Sequence, residues 1–109
     1  MNALPIVWDA AYSPEFPEAH RFPMAKFRLL KEWVDQNVPQ TQCFSPTPCS
    51  LDVLLQTHEL QYVRDFQAGT LDPKAAREIG LPWSTGLRDR TILALGGSIK
   101  TCELAKEYG

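Results

Sequence analysis

Two adjacent glycines, Gly96 and Gly97, interrupt a stretch that otherwise reads as one long helix from Thr85 to the C-terminus. Together they cost on the order of 2 kcal/mol of helix propensity relative to alanine. A helix that keeps them therefore implies an offsetting contact, and close approach of a neighbouring backbone is the one that glycine permits. Both ends of the helix are marked: Pro82 is a breaker, Ser84 can cap the first turn, and Gly109 stands where a left-handed C-terminal residue is usual. Leu87, Thr91, Leu95, Ile99 and Cys102 recur at helical spacing, beside a stripe of small residues at Ala94, Gly97, Ser98, Thr101 and Ala105. Charge is left mainly to Arg88, Asp89, Arg90, Lys100, Glu103, Lys106 and Glu107. The pattern predicts an inner crossover helix lying on a sheet, with Cys102 in the core.

The rest of the chain supplies that sheet. Pro5 to Asp9 is a short apolar run ended by an acid, which fits a buried strand. Ala10 to Phe22 carries Pro14 and Pro17, shows no sustained period, and is expected as a long loop at the strand's C-terminal end, where α/β proteins keep binding sites. Pro23 at a first helical position opens a helix to about Gln36, with Met24, Phe27, Leu30, Trp33 and Val34 inward. Thr41 to Ser45 reads as a second, polar edge strand closed by Pro46 and Pro48. Three short helices follow. Ser50 caps one from Leu51 to about Thr57, a second runs from Glu59 to Ala68 with Leu60, Tyr62, Val63 and Phe66 inward, and Asp72-Pro73 starts a third that ends at Gly80. Two strands joined by a crossover helix imply a parallel pair, so the fold class is α/β in a single domain unit over residues 1–109.

With 109 residues and a formal net charge of −2, no run of lysine or arginine marks a nucleic-acid surface. No apolar run approaches the roughly 18 residues that a membrane span needs, and the N-terminus lacks the pattern of a signal peptide, so the expected location is cytoplasmic. Three cysteines are an odd set for a disulfide framework and are read as reduced. Cys43, Cys49 and a histidine have no zinc-ligand spacing. His58, between two short helices, is expected to be structural. No serine lies in a nucleophile elbow and no glycine run has phosphate-loop form.

Several short motifs in order carry a resemblance. Tyr12-Ser13-Pro14 after the first strand, His20-Arg21-Phe22-Pro23-Met24 leading into Lys26-Phe27, Thr57-His58 with Tyr62-Val63, and Gly80-Leu81-Pro82-Trp83-Ser84 before a helix containing Gly96-Gly97 resemble the N-terminal third of the histone deacetylase superfamily, in particular its bacterial class II-like members. The resemblance covers nearly the whole chain. It implies the N-terminal portion of an arginase/deacetylase fold and a parent enzyme that is a zinc-dependent amine deacylase. In that family two aspartates and a histidine hold the metal, a histidine pair moves protons, and a tyrosine polarises the carbonyl, following ordinary metal-hydrolase logic. Those positions follow the long helix in the family, so none is carried onto this chain, which is expected to hold no zinc and to be inactive alone.

What the resemblance does carry over is the rim of a substrate channel, built by the loop Tyr12 to Phe22 and the loop Gly80 to Ser84, with His20, Arg21, Phe22 and Trp83 as candidate lining residues. Many family members place an acidic residue in the second loop to bind a polypeptide backbone; here the nearest acid is Glu78. Two classes of function stay open: a deacylase segment without catalytic residues, or a stand-alone self-associating or interaction module. The expected partner is accordingly a second copy or the missing C-terminal part of the fold.

Overall fold

The computed structural model describes residues 3–109. Strand β1 (Leu4–Val7) pairs in parallel with β2 (Thr41–Phe44), Leu4 opposite Thr41 and Val7 opposite Phe44. Between them run a single 3₁₀ turn (Ala10–Tyr12) and α1 (Lys26–Asn37). After β2 come α2 (Leu51–Leu54), α3 (Leu60–Ala68), α4 (Pro73–Ile79) and α5 (Thr85–Tyr108). Over the described residues the chain is thus mixed α/β with two parallel strands and five α-helices, the last of them long, as the punctuation implied. The caps are where the sequence put them: Ser50, Asp72 and Ser84 accept from Val53, Ala75 and Leu87 N–H, and Gly69 and Gly80 turn left-handed at φ 75° and 77°. No helix is long and apolar enough to cross a membrane among the described residues.

Three expectations are corrected. α1 opens at Lys26 rather than Pro23, because Pro23 to Ala25 are spent in a turn in which Met24 N–H reaches Phe22 O and Lys26 N–H reaches Pro23 O. Helix α2 is four residues long, and the chain continues to Thr57 as turns. The third correction concerns which face of α5 is covered. Leu87, Gly96, Gly97 and Leu104 are its buried residues, whereas Leu95 and Ile99 stay 41% and 39% exposed and Cys102 is exposed, not core. The glycines decide this, because they let other chain segments come closer than any side chain would. A Cβ on Gly96 would collide with the Thr47 carbonyl, and one on Gly97 with the Tyr12 hydroxyl. Cys49 N–H donates to Ile92 O at 3.1 Å beside this crossing, so the segment after β2 is fastened to the helix where it is thinnest.

The covered core is small: Met24, Leu54, Val63, Leu87 and Leu104. Of the α1 residues expected inward, Leu30 and Trp33 are 62% and 58% exposed, and Leu60 and Tyr62 of α3 are exposed too. The cause is geometric, since a sheet of two short strands cannot floor helices this long. The body is a slab of 50 × 35 × 17 Å with a radius of gyration of 15.8 Å, where a compact domain of this length has about 13 Å.

Candidate functional site

Asp9, extended at φ −149°, stops β1 and accepts from Ala11 N–H at 2.9 Å, which turns the chain inward. Tyr12 then reaches α5, its hydroxyl against Gly97 and its ring edge-on to Phe27 at 6.4 Å. Ser13 ties the loop to the start of α1: its Oγ donates to Met24 O at 2.8 Å and accepts from Arg28 N–H at 3.2 Å. Pro14 lies against Gly86, two residues past the Ser84 cap. The loop after β1 therefore packs on the first turn of α5, near the C-terminal end of β1, the end where open α/β sheets bind ligands.

Beyond Pro14 the first loop folds on its own aromatics. Phe16 packs edge-on to His20 at 5.0 Å and to Phe22 at 6.2 Å, and His20 Nδ1 accepts from Phe22 N–H at 3.1 Å. His20, Arg21 and Phe22 share an open groove of about 490 Å³ walled by residues 13–28. Trp83 is not part of that groove. Its indole Nε1 donates to Phe66 O at 2.6 Å and its ring covers Gly69, closing a cavity of about 50 Å³ between α3 and α4. The structure thus gathers three of the four candidate residues and sets the fourth beside the helix ends. His58 stacks on Tyr62 at 5.7 Å.

Motif reading alone passed over a group between α1 and α5. Phe27 lies between two cations, with Lys26 Nζ 5.1 Å and the Arg90 guanidinium 4.7 Å from its ring centre. Arg90 Nε and Trp8 Nε1 are buried without a hydrogen-bond partner among the described residues. Burial holds Arg90 below its usual range, partly countered by Tyr12. Tyr12 is raised by its own burial and then by Asp9, with Arg90 pulling the other way. The sequence signal was present in Gly97: a glycine kept inside a helix marks where something presses in, and here it is a phenol.

The Tyr12 shift has a sign that can be measured. A phenol held above the usual value near 10 keeps its proton longer in the folded chain than in the unfolded one. Its contribution to stability is complete below about pH 10 and is lost as pH rises through the folded value. Ultraviolet titration of the native chain is expected to show one late-ionising tyrosine, and Tyr12→Phe to remove that phase. An unchanged late phase in the variant would assign it to another tyrosine.

Among the described residues no three His, Cys, Asp or Glu side chains come together to hold a metal ion. Cys43, Cys49 and Cys102 are free thiols.

No family model matches the chain. It is similar to an uncharacterized protein of Picosynechococcus sp., with 45% identity over an alignment of 107 residues that covers 96% of this chain and 36% of that protein. The chain spans about a third of the length of the curated relative it matches.

Proposed function

We propose that the chain is the N-terminal segment of a histone deacetylase-like, zinc-dependent amine deacylase of arginase/deacetylase fold, supplying channel-rim loops and no catalytic residue. The observation that carries this reading is that the motif-bearing loop after β1 packs, through Pro14 against Gly86, on the first turn of α5, just past the Ser84 cap that ends the second motif. Each loop alone would be a weak signal. A first loop seated on the helix turn that directly follows the second motif, near the ligand-binding end of a parallel pair, is consistent with a divided rim. The length of the relative also supports it, because a protein about three times as long has room for the ligands and the proton-transfer pair that this chain lacks.

In this reading His20, Arg21 and Phe22 stand on the rim. Phe22 is steadied by Phe16 and by Lys26 Nζ at 4.8 Å from its ring. Zinc belongs to the part of the fold outside this chain, where it would polarise the amide carbonyl and lower the pKa of bound water.

Two purified proteins test the proposal. The 109-residue chain is expected to contain no zinc and to leave a fluorogenic acetyl-lysine peptide and acylated polyamines intact. The full-length Picosynechococcus relative is expected to hold zinc and to hydrolyse at least one of these amines, with loss of activity on chelation. A relative without zinc or turnover would sink the deacylase reading, and the stand-alone interaction module would take its place.

A further inference from the structure

Leu87, Thr91 and Leu95 stand at core spacing on α5, and they border a cavity that the rim loops do not share. It has a volume of about 290 Å³ and lies between α5 and the segment that runs from the end of α2 through α3 to the turn after α4. Leu54 and Val63, both buried, line it, as do Ile79 and Leu81 from the end of α4. His58 and Tyr62, stacked at 5.7 Å, make a further part of the wall. The volume is at the small end of ligand pockets, which span about 300–1,000 Å³. No lining residue belongs to the groove walled by residues 13–28.

The wall has a chemical sign. No aspartate or glutamate lines it. Thr91 offers its methyl, since its hydroxyl donates to Leu87 O at 2.7 Å. That leaves Arg90, which can only donate, and the His58 ring and Tyr62 hydroxyl, which can each donate. An ammonium group entering here would meet a guanidinium with no carboxylate to offset it, whereas an anion finds only donors.

Arg90 also lacks a counter-charge of its own. None of the ion pairs among the described residues uses it, and its Nε is buried without a partner. Burial holds it below its usual range, and the group that counters this is Tyr12 rather than a carboxylate. A charge withdrawn from water is costly until it is paired. The Phe27 ring, 4.7 Å from the guanidinium carbon, attracts the charge but does not supply the two oxygen acceptors that a guanidinium pairs with best.

We infer that this cavity binds a small organic monoanion, a carboxylate on a short apolar body, with Arg90 as its counter-charge. The apolar body would take the place of water against Leu87, Leu95 and the His58–Tyr62 pair, and burial of that surface supplies the attraction. The carboxylate sets the orientation, and its charge sets the selectivity. The inference stands on the cavity and on Arg90 and does not rest on the deacylase reading.

Octanoate is the probe, with octanol and octylammonium as its neutral and positively charged counterparts. In nuclear magnetic resonance titrations of the 109-residue chain, kept below micellar concentrations, the amide shifts are expected to gather at Tyr62, Val63, Leu87 and Leu95. Octanoate should bind about tenfold or more tighter than either counterpart, the size of one charge-assisted hydrogen bond. Arg90→Met keeps an unbranched stem and removes the charge, and should bring octanoate down to the affinity of octanol. Because Arg90 also packs on Phe27, that variant can lose stability, so a second one leaves Arg90 in place. Leu95→Glu, at a side chain 41% exposed, puts a carboxylate on the wall and should weaken octanoate about tenfold. Leu30→Glu, on the exposed face of α1, should leave it unchanged. No binding, equal affinity for octanoate and octanol, shifts spread over the whole surface, or a loss with Leu30→Glu as large as with Leu95→Glu would each overturn the inference. None of these results depends on zinc or on turnover of acylated amines by the full-length relative, so the two readings fail separately.

Discussion

Gly96→Ala is expected to destabilise the chain by about 3 kcal/mol or more, a large share of what holds a small domain together. The alanine itself would favour the helix by about 1 kcal/mol. Against this stands a collision with backbone: the new methyl falls on the Thr47 carbonyl, and Cys49 N–H, held by Ile92 O, stops the crossing segment from moving off. A backbone clash cannot be relieved by a rotamer change. Few buried side chains stand in reserve, and net stability in small domains is only about 5–15 kcal/mol. Gly97→Ala should be milder, because its obstacle is the Tyr12 hydroxyl at the end of a side chain. Tyr12→Phe in the same molecule should recover part of the loss, a coupling that Gly96→Ala will not show. Urea titration of the single variants and the double variant, followed by far-ultraviolet circular dichroism, gives these differences directly. A Gly96→Ala chain as stable as the parent would mean that the segment at Thr47 is not pressed against α5.

The same pair of glycines shows what the sequence could and could not convey. That Gly96 needed a neighbouring backbone was legible from its cost in a helix. Which segment would provide it was not, since Thr47 lies in a stretch whose only local signal is the flanking prolines. Caps and turns were read correctly because their causes are local: an oxygen three residues before an amide at Ser84 and Asp72, a missing Cβ at Gly69 and Gly80. The facing of the helices was read less well. Leu30, Trp33, Leu95 and Ile99 are at core spacing and yet exposed, because periodicity reports that a face is apolar without saying whether its cover is within the same 109 residues. For the candidate site, the loop carrying His20, Arg21 and Phe22 was found from its prolines and aromatics. The Tyr12, Phe27 and Arg90 group was not, since its members are far apart in sequence and meet only through the packing of α5.

Trp83 is where the rim reading and the packing of the chain make different demands, and its substitution has the second largest expected effect. On the rim alone, Trp83→Ala would alter selectivity between large and small acylated amines in a complete enzyme and leave the fold intact. The geometry adds a structural duty. The indole N–H donates to Phe66 O at the C-terminal end of α3, and the ring lies on Gly69, whose φ of 75° and missing side chain make room for it. Truncation to alanine removes a large apolar surface and leaves that carbonyl to water. For a tryptophan 38% exposed the expected loss is about 2 kcal/mol, below the 3–5 typical of a fully buried one. Trp83→Phe keeps most of the ring contact and deletes the hydrogen bond, for an expected loss of about 1 kcal/mol. Thermal unfolding of the two variants separates ring from hydrogen bond. If neither shifts the midpoint, Trp83 is free to serve the channel alone; if both shift it in the expected order, any change in substrate selectivity must first be corrected for the movement of α3 against α5.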